Sequence, residues 1–363
     1  MTDRRIMLVS LMAALAVVPA QASEHLPQIA ALVVAYGDGT FSAGDEELAN
    51  YDAETGLVRD GSGNLNVAEA SLNYATALVE LGVGADRFAH VLGAALERQD
   101  RREGSATLGL FQWIARPGAT YDANATLYLA PALAHLTREL ANGGGAAADL
   151  VHESAGLALT GLLAHPKTAQ DGFAAAMWAG AVCTLGDAVG ETAGREAGRD
   201  LVAAWLARAA AVGLANASSP TYDALRIGGL RWAWEFAADE QARAQAAMAL
   251  ELCYGDMLQR YDPNAAMVGG AIARAYAADY TGESGLARYL LAADLESAFG
   301  ALDRAEPLAM YLALSEYDLS DDLTALAEER AEPFEVRTRV PDVEDPTIEV
   351  GSACTWVGPA GTL

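Results

Sequence analysis

From about residue 66 to about residue 330, apolar residues recur at three- and four-residue spacing, the period of one face of an α-helix. The pattern predicts helices over Ala68–Leu81, Phe88–Leu96, Leu127–Leu140, Leu150–Leu163, Phe173–Leu185 and Leu201–Val212. It continues over Tyr222–Ala237, Ala242–Leu258, Ala265–Tyr276, Gly285–Phe299, Ala305–Leu314 and Leu319–Ala327. Short connections join these segments, and no strand pattern interrupts them. The repeating unit is a helical hairpin without a strict period, and many small residues on the apolar faces imply close helix packing. An all-α fold of the α/α-toroid type, about a dozen antiparallel helices in a double ring, fits this count, with an open right-handed solenoid as the alternative.

The two ends read differently. Phe334–Val340 and Thr347–Val350 alternate and are β-branched, Pro341 to Pro346 forms a turn between them, and Thr355–Gly358 opens as a third strand. Strands this few are marginal alone, so they either pack on the helical body or belong to a truncated β-sandwich. At the other end, Arg4 and Arg5 precede the apolar run Ile6–Val18, which is short for a membrane span. Pro19-Ala20-Gln21-Ala22 then offers a small-residue cleavage site before Ser23. The expected organisation is a cleaved signal peptide at 1–22, an α/α-toroid domain at 23–332 and a β tail at 333–363. A periplasmic or secreted protein follows, with no membrane association after cleavage.

Charge narrows the partners. The chain carries −26; the leader contributes +1 (Asp3 against Arg4 and Arg5), so the mature protein sits at −27. A polyphosphate or an anionic membrane surface would be repelled, which argues against nucleic acid. Apolar residues, at 52%, suffice for a large core. Lys167 is the one lysine against 22 arginines, so a working cation in a site is expected to be arginine. Cys183, Cys253 and Cys354 show neither metal-ligand nor redox spacing; the first two read as core residues, and the sequence does not choose a disulfide pair.

Two loops concentrate polar chemistry within the alanine-rich helices: Ser218-Ser219-Pro220-Thr221-Tyr222, and Gly269-Gly270 followed by Arg274-Ala275-Tyr276. Backbone irregularity beside hydroxyls and a cation suits a binding or catalytic loop. Together with Asp122-Ala123-Asn124 opening a helix, Gly213-Leu214, and Tyr261 before a loop, these segments resemble exported α/α-toroid proteins related to polysaccharide lyases (heparinase- and alginate-lyase-like) and toroidal glycosidases. The resemblance covers roughly residues 86 to 300. It implies a polysaccharide or oligosaccharide partner and, in lyases of this type, a β-sandwich after the toroid. Where similar sequences carry an acid and an aromatic before Ser-Pro-Thr-Tyr, this chain has Asn216 and Ala217; where they carry Gly-Pro-His, it has Gly270, Ala271 and Ile272.

Elimination at a uronate needs a neutraliser for the carboxylate, a base for the neighbouring C–H and an acid for the leaving oxygen. Tyr222 or Tyr276 beside Arg274, with Asn216 or Asn124 as donors, supplies such a set, and Trp113, Asp122, Asn124 and Tyr261 are expected to bind substrate. A hydrolase instead needs two carboxylates across a glycosidic bond, for which Asp122, Glu153, Asp256 and Asp279 are candidates. Each also reads as a helix cap or solvated surface residue, Asp122 as the N-cap of the helix containing Leu127. Trp113, Tyr121, Trp232 and Trp234 are flat enough to stack on sugars, but Trp232 and Trp234, two apart on a helix, cannot face the same way. His152-Glu153 is the one histidine pair suited to acid/base work. No histidine pair has metal spacing and no phosphate-binding loop, dinucleotide fingerprint or serine elbow is present, so neither metal nor cofactor is expected. A glycan binder without turnover and a helical scaffold for protein partners are the other readings.

Overall fold

The computed structural model describes residues 25–43, 46–214, 219–269, 285–300, 302–329, 334–341, 349–358 and 361–362. The described residues are mostly helical, with a few small sheets and no barrel among them. It divides into two compact units that interleave along the sequence: the first takes Met1–Pro166, Ala181–Arg195 and Arg304–Leu314, the second Lys167–Gly180, Glu196–Asp303 and Ser315–Leu363.

The first unit opens with a helix that the periodicity above does not include, Leu26–Asp38, started by Pro27 in its first turn. Leu26, Ile29, Ala30 and Val33 are its buried face. Gly37 belongs there too, because a Cβ would enter the ring of Tyr74. Short hairpins follow, Thr40–Ala43 with Glu46–Ala49, then Tyr51–Asp52, Leu57–Arg59 and Leu65–Asn66 as a three-stranded antiparallel sheet. This corrects the expectation that strands are confined to the tail: pieces of two to four residues are too short for alternation to register. A π-helical turn, Val67–Ser71, leads into the helix Leu72–Leu81. The longest elements here are Ala123–Ala141 and Ala146–Ala164, consecutive and packed on each other, hence antiparallel. Gly109, with φ at 85°, lets the preceding loop lie on the second of these, since a Cβ there would strike the carbonyl of Leu157.

In the second unit, Pro220–Glu235 and Glu240–Leu258 form the equivalent hairpin, the latter capped by Asp239, whose Oδ1 accepts from the Ala242 N–H at 2.8 Å. Helices cross closely where glycines meet: a Cβ on Gly229 would lie 2.5 Å from the backbone of Ala176, and one on Gly180 would strike the Gly229 carbonyl. The helix expected over Ala265–Tyr276 is not helical at its start. Tyr261–Asp262 and Met267–Val268 pair antiparallel instead, because Asp262 Oδ1 accepts from the Asn264 N–H at 2.9 Å and turns the chain, with Ala266 left-handed at φ 49°. Residues 270–276 of that segment lie outside the described residues. The predicted helix Gly285–Phe299 breaks at Leu295, which is extended, into Leu286–Asp294 and Glu296–Gly300. Of Ala305–Leu314 only Ala309–Ala313 is helical. In the tail, Thr347–Val350 and Thr355–Gly358 are not separate strands: Glu349–Gly358 is continuous, pairs antiparallel with Phe334–Pro341, and is followed by Gly361–Thr362.

Candidate acid site

The turn Asp60-Gly61-Ser62-Gly63-Asn64 is tied by its first residue. Asp60 Oδ1 accepts from the Ser62 N–H at 2.9 Å and the Asn64 N–H at 3.0 Å. Two residues on, Asn66 caps the π-turn, its Oδ1 accepting from the Glu69 N–H at 2.8 Å. The amide nitrogen of Asn66 then donates in two directions, to Asp60 Oδ2 at 2.9 Å and to Glu69 Oε2 at 3.1 Å. π-Helical turns insert one extra residue and are concentrated at functional sites. A third carboxylate comes from a distant part of the same unit: Glu306 Oε1 lies 2.7 Å from where a Cβ on Gly61 would stand. Burial, together with the like charges of Asp60 and Glu306, raises the Glu69 carboxyl to about 7, against the stabilising bond from Asn66. Burial likewise raises Glu306, opposed by Arg304.

The neighbouring chain segment carries three of the predicted binding residues. Val67 N–H donates to the Trp113 carbonyl at 2.8 Å, Ala115 N–H donates to the Leu65 carbonyl at 2.9 Å, and Asn66 bridges Ile114. Trp113 Nε1–H donates to Asp122 Oδ2 at 2.9 Å, and Asp122 Oδ1 accepts from the Asn124 N–H at 2.8 Å. The structure therefore brings Trp113, Asp122 and Asn124 together one segment away from Asn66. Asp122 is the N-cap of the helix containing Leu127, and both its oxygens are engaged. The half-buried Trp113 ring meets Tyr128 edge-on at 5.0 Å, while Arg102 lies over Tyr121 at 5.4 Å.

Tyr222 and Tyr261 fall in the second unit. Tyr222 is 8% exposed and stacks on Phe173 with ring centroids 4.2 Å apart. Tyr261 is fully buried, its hydroxyl 3.1 Å from Ser297 Oγ. Asn216, Arg274, Tyr276 and Asp279 lie outside the described residues. Glu153 is exposed and pairs with Arg101 at 2.8 Å in the first unit, beside the exposed His152. Trp232 is core; Trp234, partly covered, meets Tyr317 edge-on and carries Arg243 at 5.2 Å.

Beneath the Ser219–Tyr222 turn lies a buried group of charges. Arg226 Nη2 is 3.0 Å from Asp223 Oδ1, Arg260 Nη2 is 3.9 Å from Asp223 Oδ2, and Arg260 Nη2 is 2.8 Å from Asp256 Oδ2. Asp223, Arg226 and Arg260 are 3%, 1% and 1% exposed. Burial raises Asp223 to about 6, opposed mainly by Arg226. Cys253, a free buried thiol beside Arg226, is pushed up to about 12 by burial.

Asp60, Glu69 and Glu306 escaped the sequence reading. Asn66 followed by Glu69 is a capping-box spacing behind an Asp-Gly turn, so two of the three left a local signature; Glu306 left none, because only the fold returns it to Gly61. Among the described residues no group of three or more His, Cys, Asp or Glu side chains is arranged to hold a metal ion, and no helix is long and apolar enough to cross a membrane. Comparison with protein-family models, with curated proteins and with solved structures finds no match to the chain.

Proposed function

We propose that the chain is an exported carbohydrate-active protein whose first unit hydrolyses a glycosidic bond with the Asp60–Glu69 pair. One observation carries this reading: a single nitrogen, Asn66 Nδ2, bridges one oxygen of each carboxylate. Through that nitrogen the two oxygens can be no more than about 6 Å apart, in keeping with the roughly 5–5.5 Å of retaining glycosidases. Glu69, raised to about 7, is suited to donate a proton to the leaving oxygen near neutrality, and Asp60 to meet the positive charge developing on the sugar. Trp113 supplies an aromatic ring one segment away. The α/α-toroid arrangement belongs to the same proposal, supported by consecutive helical hairpins in each unit; a neutral glycan suits a chain at −26 better than a polyuronate does.

Uronate elimination is the second reading. The observation favouring it is that Tyr222 sits on the Ser-Pro turn, one residue before a carboxylate flanked by Arg226 and Arg260.

The test is a panel of neutral and uronate polysaccharides, followed by reducing-end release and by ultraviolet absorbance of unsaturated sugar. Hydrolysis predicts reducing ends without absorbance, reduced about 10²–10⁴-fold in Glu69→Gln, the usual contribution of a positioned acid. Full activity in Glu69→Gln removes the acid assignment. Absorbance lost in Tyr222→Phe transfers the reaction to elimination, and saccharide affinity without turnover leaves a binder.

A further inference from the structure

In the first unit, the loop that leads to Phe111 is built around one arginine. Asp100, 1% exposed, accepts from Arg102 Nε at 2.8 Å through Oδ1 and from Arg102 Nη2 at 2.9 Å through Oδ2. The Ser105 and Thr107 hydroxyls donate to the same Oδ2 at 2.6 and 2.7 Å. The Asp100 N–H donates to the Leu110 carbonyl at 2.8 Å, which ties the loop to the hairpin of Phe111–Gln112 with Tyr121–Asp122. The Arg102 side chain is nonetheless 70% exposed, its guanidinium carbon 5.4 Å over the half-buried Tyr121 ring. A guanidinium has two forked edges, each matching a carboxylate. Asp100 takes the Nε/Nη2 edge, so the Nη1/Nη2 edge is turned to solvent and held there by a buried anion and an aromatic face.

Resting on the glycan reading above, we propose that Arg102, seated on Tyr121, anchors a subsite for the carboxylate of one acidic sugar in an otherwise neutral glycan. Its place suits that role. Tyr121 pairs with Gln112, two residues before Ile114, which bridges Asn66 of the acid site. The Tyr121 Cα therefore lies no more than about 18 Å from that of Asn66, within the span of a short oligosaccharide. Charge agrees. Residues 98–121 hold Arg98, Arg101, Arg102 and Arg116 against Asp100 and Glu103, a net +2 in a chain of −26. Arg116, exposed, stands in the turn of the same hairpin. A run of uronates meets the repulsion of the whole chain, whereas a single carboxylate is governed by the charges nearest to it. An arginine fixed before the ligand arrives also loses little freedom on binding it.

Titration of the full-length protein with glucuronate, glucose and acetate, followed by ligand-observed NMR at low salt, tests the subsite. Glucuronate is expected to bind more tightly than either of the others. Its affinity should fall at least about tenfold in Arg102→Gln, the loss of a charge-assisted pair of hydrogen bonds. It should be unchanged in Arg101→Gln, whose arginine is committed to Glu153 and Ser154. Acetate binding as tightly as glucuronate, or glucuronate affinity that survives Arg102→Gln, overturns the subsite. If Arg102→Gln does not fold, Arg102→Lys decides, because it keeps a cation for Asp100 and lacks the second forked edge. Retained affinity there overturns the subsite, and a tenfold loss supports it. The hydrolase reading fails separately. Glucuronate held through Arg102, with no reducing ends released from any polysaccharide, supports the subsite and removes the hydrolase. Reducing ends released from an acid-bearing glycan with equal kcat/KM by the wild type and Arg102→Gln remove the subsite alone.

Discussion

Both terminal nitrogens of Arg231 are engaged within the second unit. Its Nη1 faces both oxygens of Asp294 at 3.0 and 3.1 Å, its Nη2 donates to the carbonyls of Ser315 and Tyr317, and Tyr254 donates to Asp294 at 2.7 Å. Removing one member of so buried a pair strands the other charge. Arg231→Ala is therefore expected to cost about 3–5 kcal/mol in urea unfolding, far more than loss of the exposed Arg101–Glu153 pair, whose worth is about 0–1 kcal/mol. Glu69 behaves in the opposite way, since here a pH change rather than a substitution exposes the cost of burial. Its folded value is raised, so its contribution to stability is complete below about 4.5 and lost as pH rises through about 7. Unfolding of the wild type followed from pH 5 to 8 should show this slope, and Glu69→Gln should flatten it; equal slopes would leave the carboxyl without its raised value. Single residues were legible in the sequence as cations and poorly legible as carboxylates. A chain with one lysine places arginines wherever the core holds a positive charge, as Arg226, Arg231 and Arg260 do. Which of the chain's 49 acidic residues would be buried beside another was beyond any local pattern.

Among the elements, the long helices were legible because apolar residues recur at helical spacing for four turns or more, and the hairpins were not. Strand pairs as short as Tyr261–Asp262 with Met267–Val268 are made by turn chemistry rather than by alternation, so an apolar count reads through them as helix. Ala266 bears the cost of that turn at φ 49°. Ala266→Gly is expected to stabilise by about 0.5–1 kcal/mol, the left-handed penalty less the added freedom of the unfolded chain; no gain in thermal midpoint would mean the turn is not strained. Helix crossings respond in the other direction. At Gly229 a methyl would press on the Ala176 backbone, which cannot swing aside as a side chain can. Gly229→Ala should cost at least about 1–3 kcal/mol by denaturant unfolding, whereas Gly255→Ala, with open space around it on the next helix, should cost nothing.

For the whole molecule, net charge governs how stability responds to solvent. At −26, self-repulsion opposes compaction, and it is screened over about 30 Å at 0.01 M salt but over about 3 Å at 1 M. The thermal midpoint at pH 7.5 should therefore climb by several degrees across that range; a salt-independent midpoint would show that the acidic residues are already neutralised by local partners. The mostly helical class was readable from period alone, but the division into two units was not, since nothing in the sequence marks residues 304–314 as belonging with the first 166. That interleaving has a consequence for synthesis. A ribosome delivers Asp60 and Glu69 early and Glu306 only when little of the chain remains. Until then the first unit lacks its closing segment, so its long-range contacts form last and slowly. A nascent chain of this protein stays in an unfinished state through most of its translation, and a truncation before Arg304 yields a first unit lacking the stretch of sequence that carries its third carboxylate.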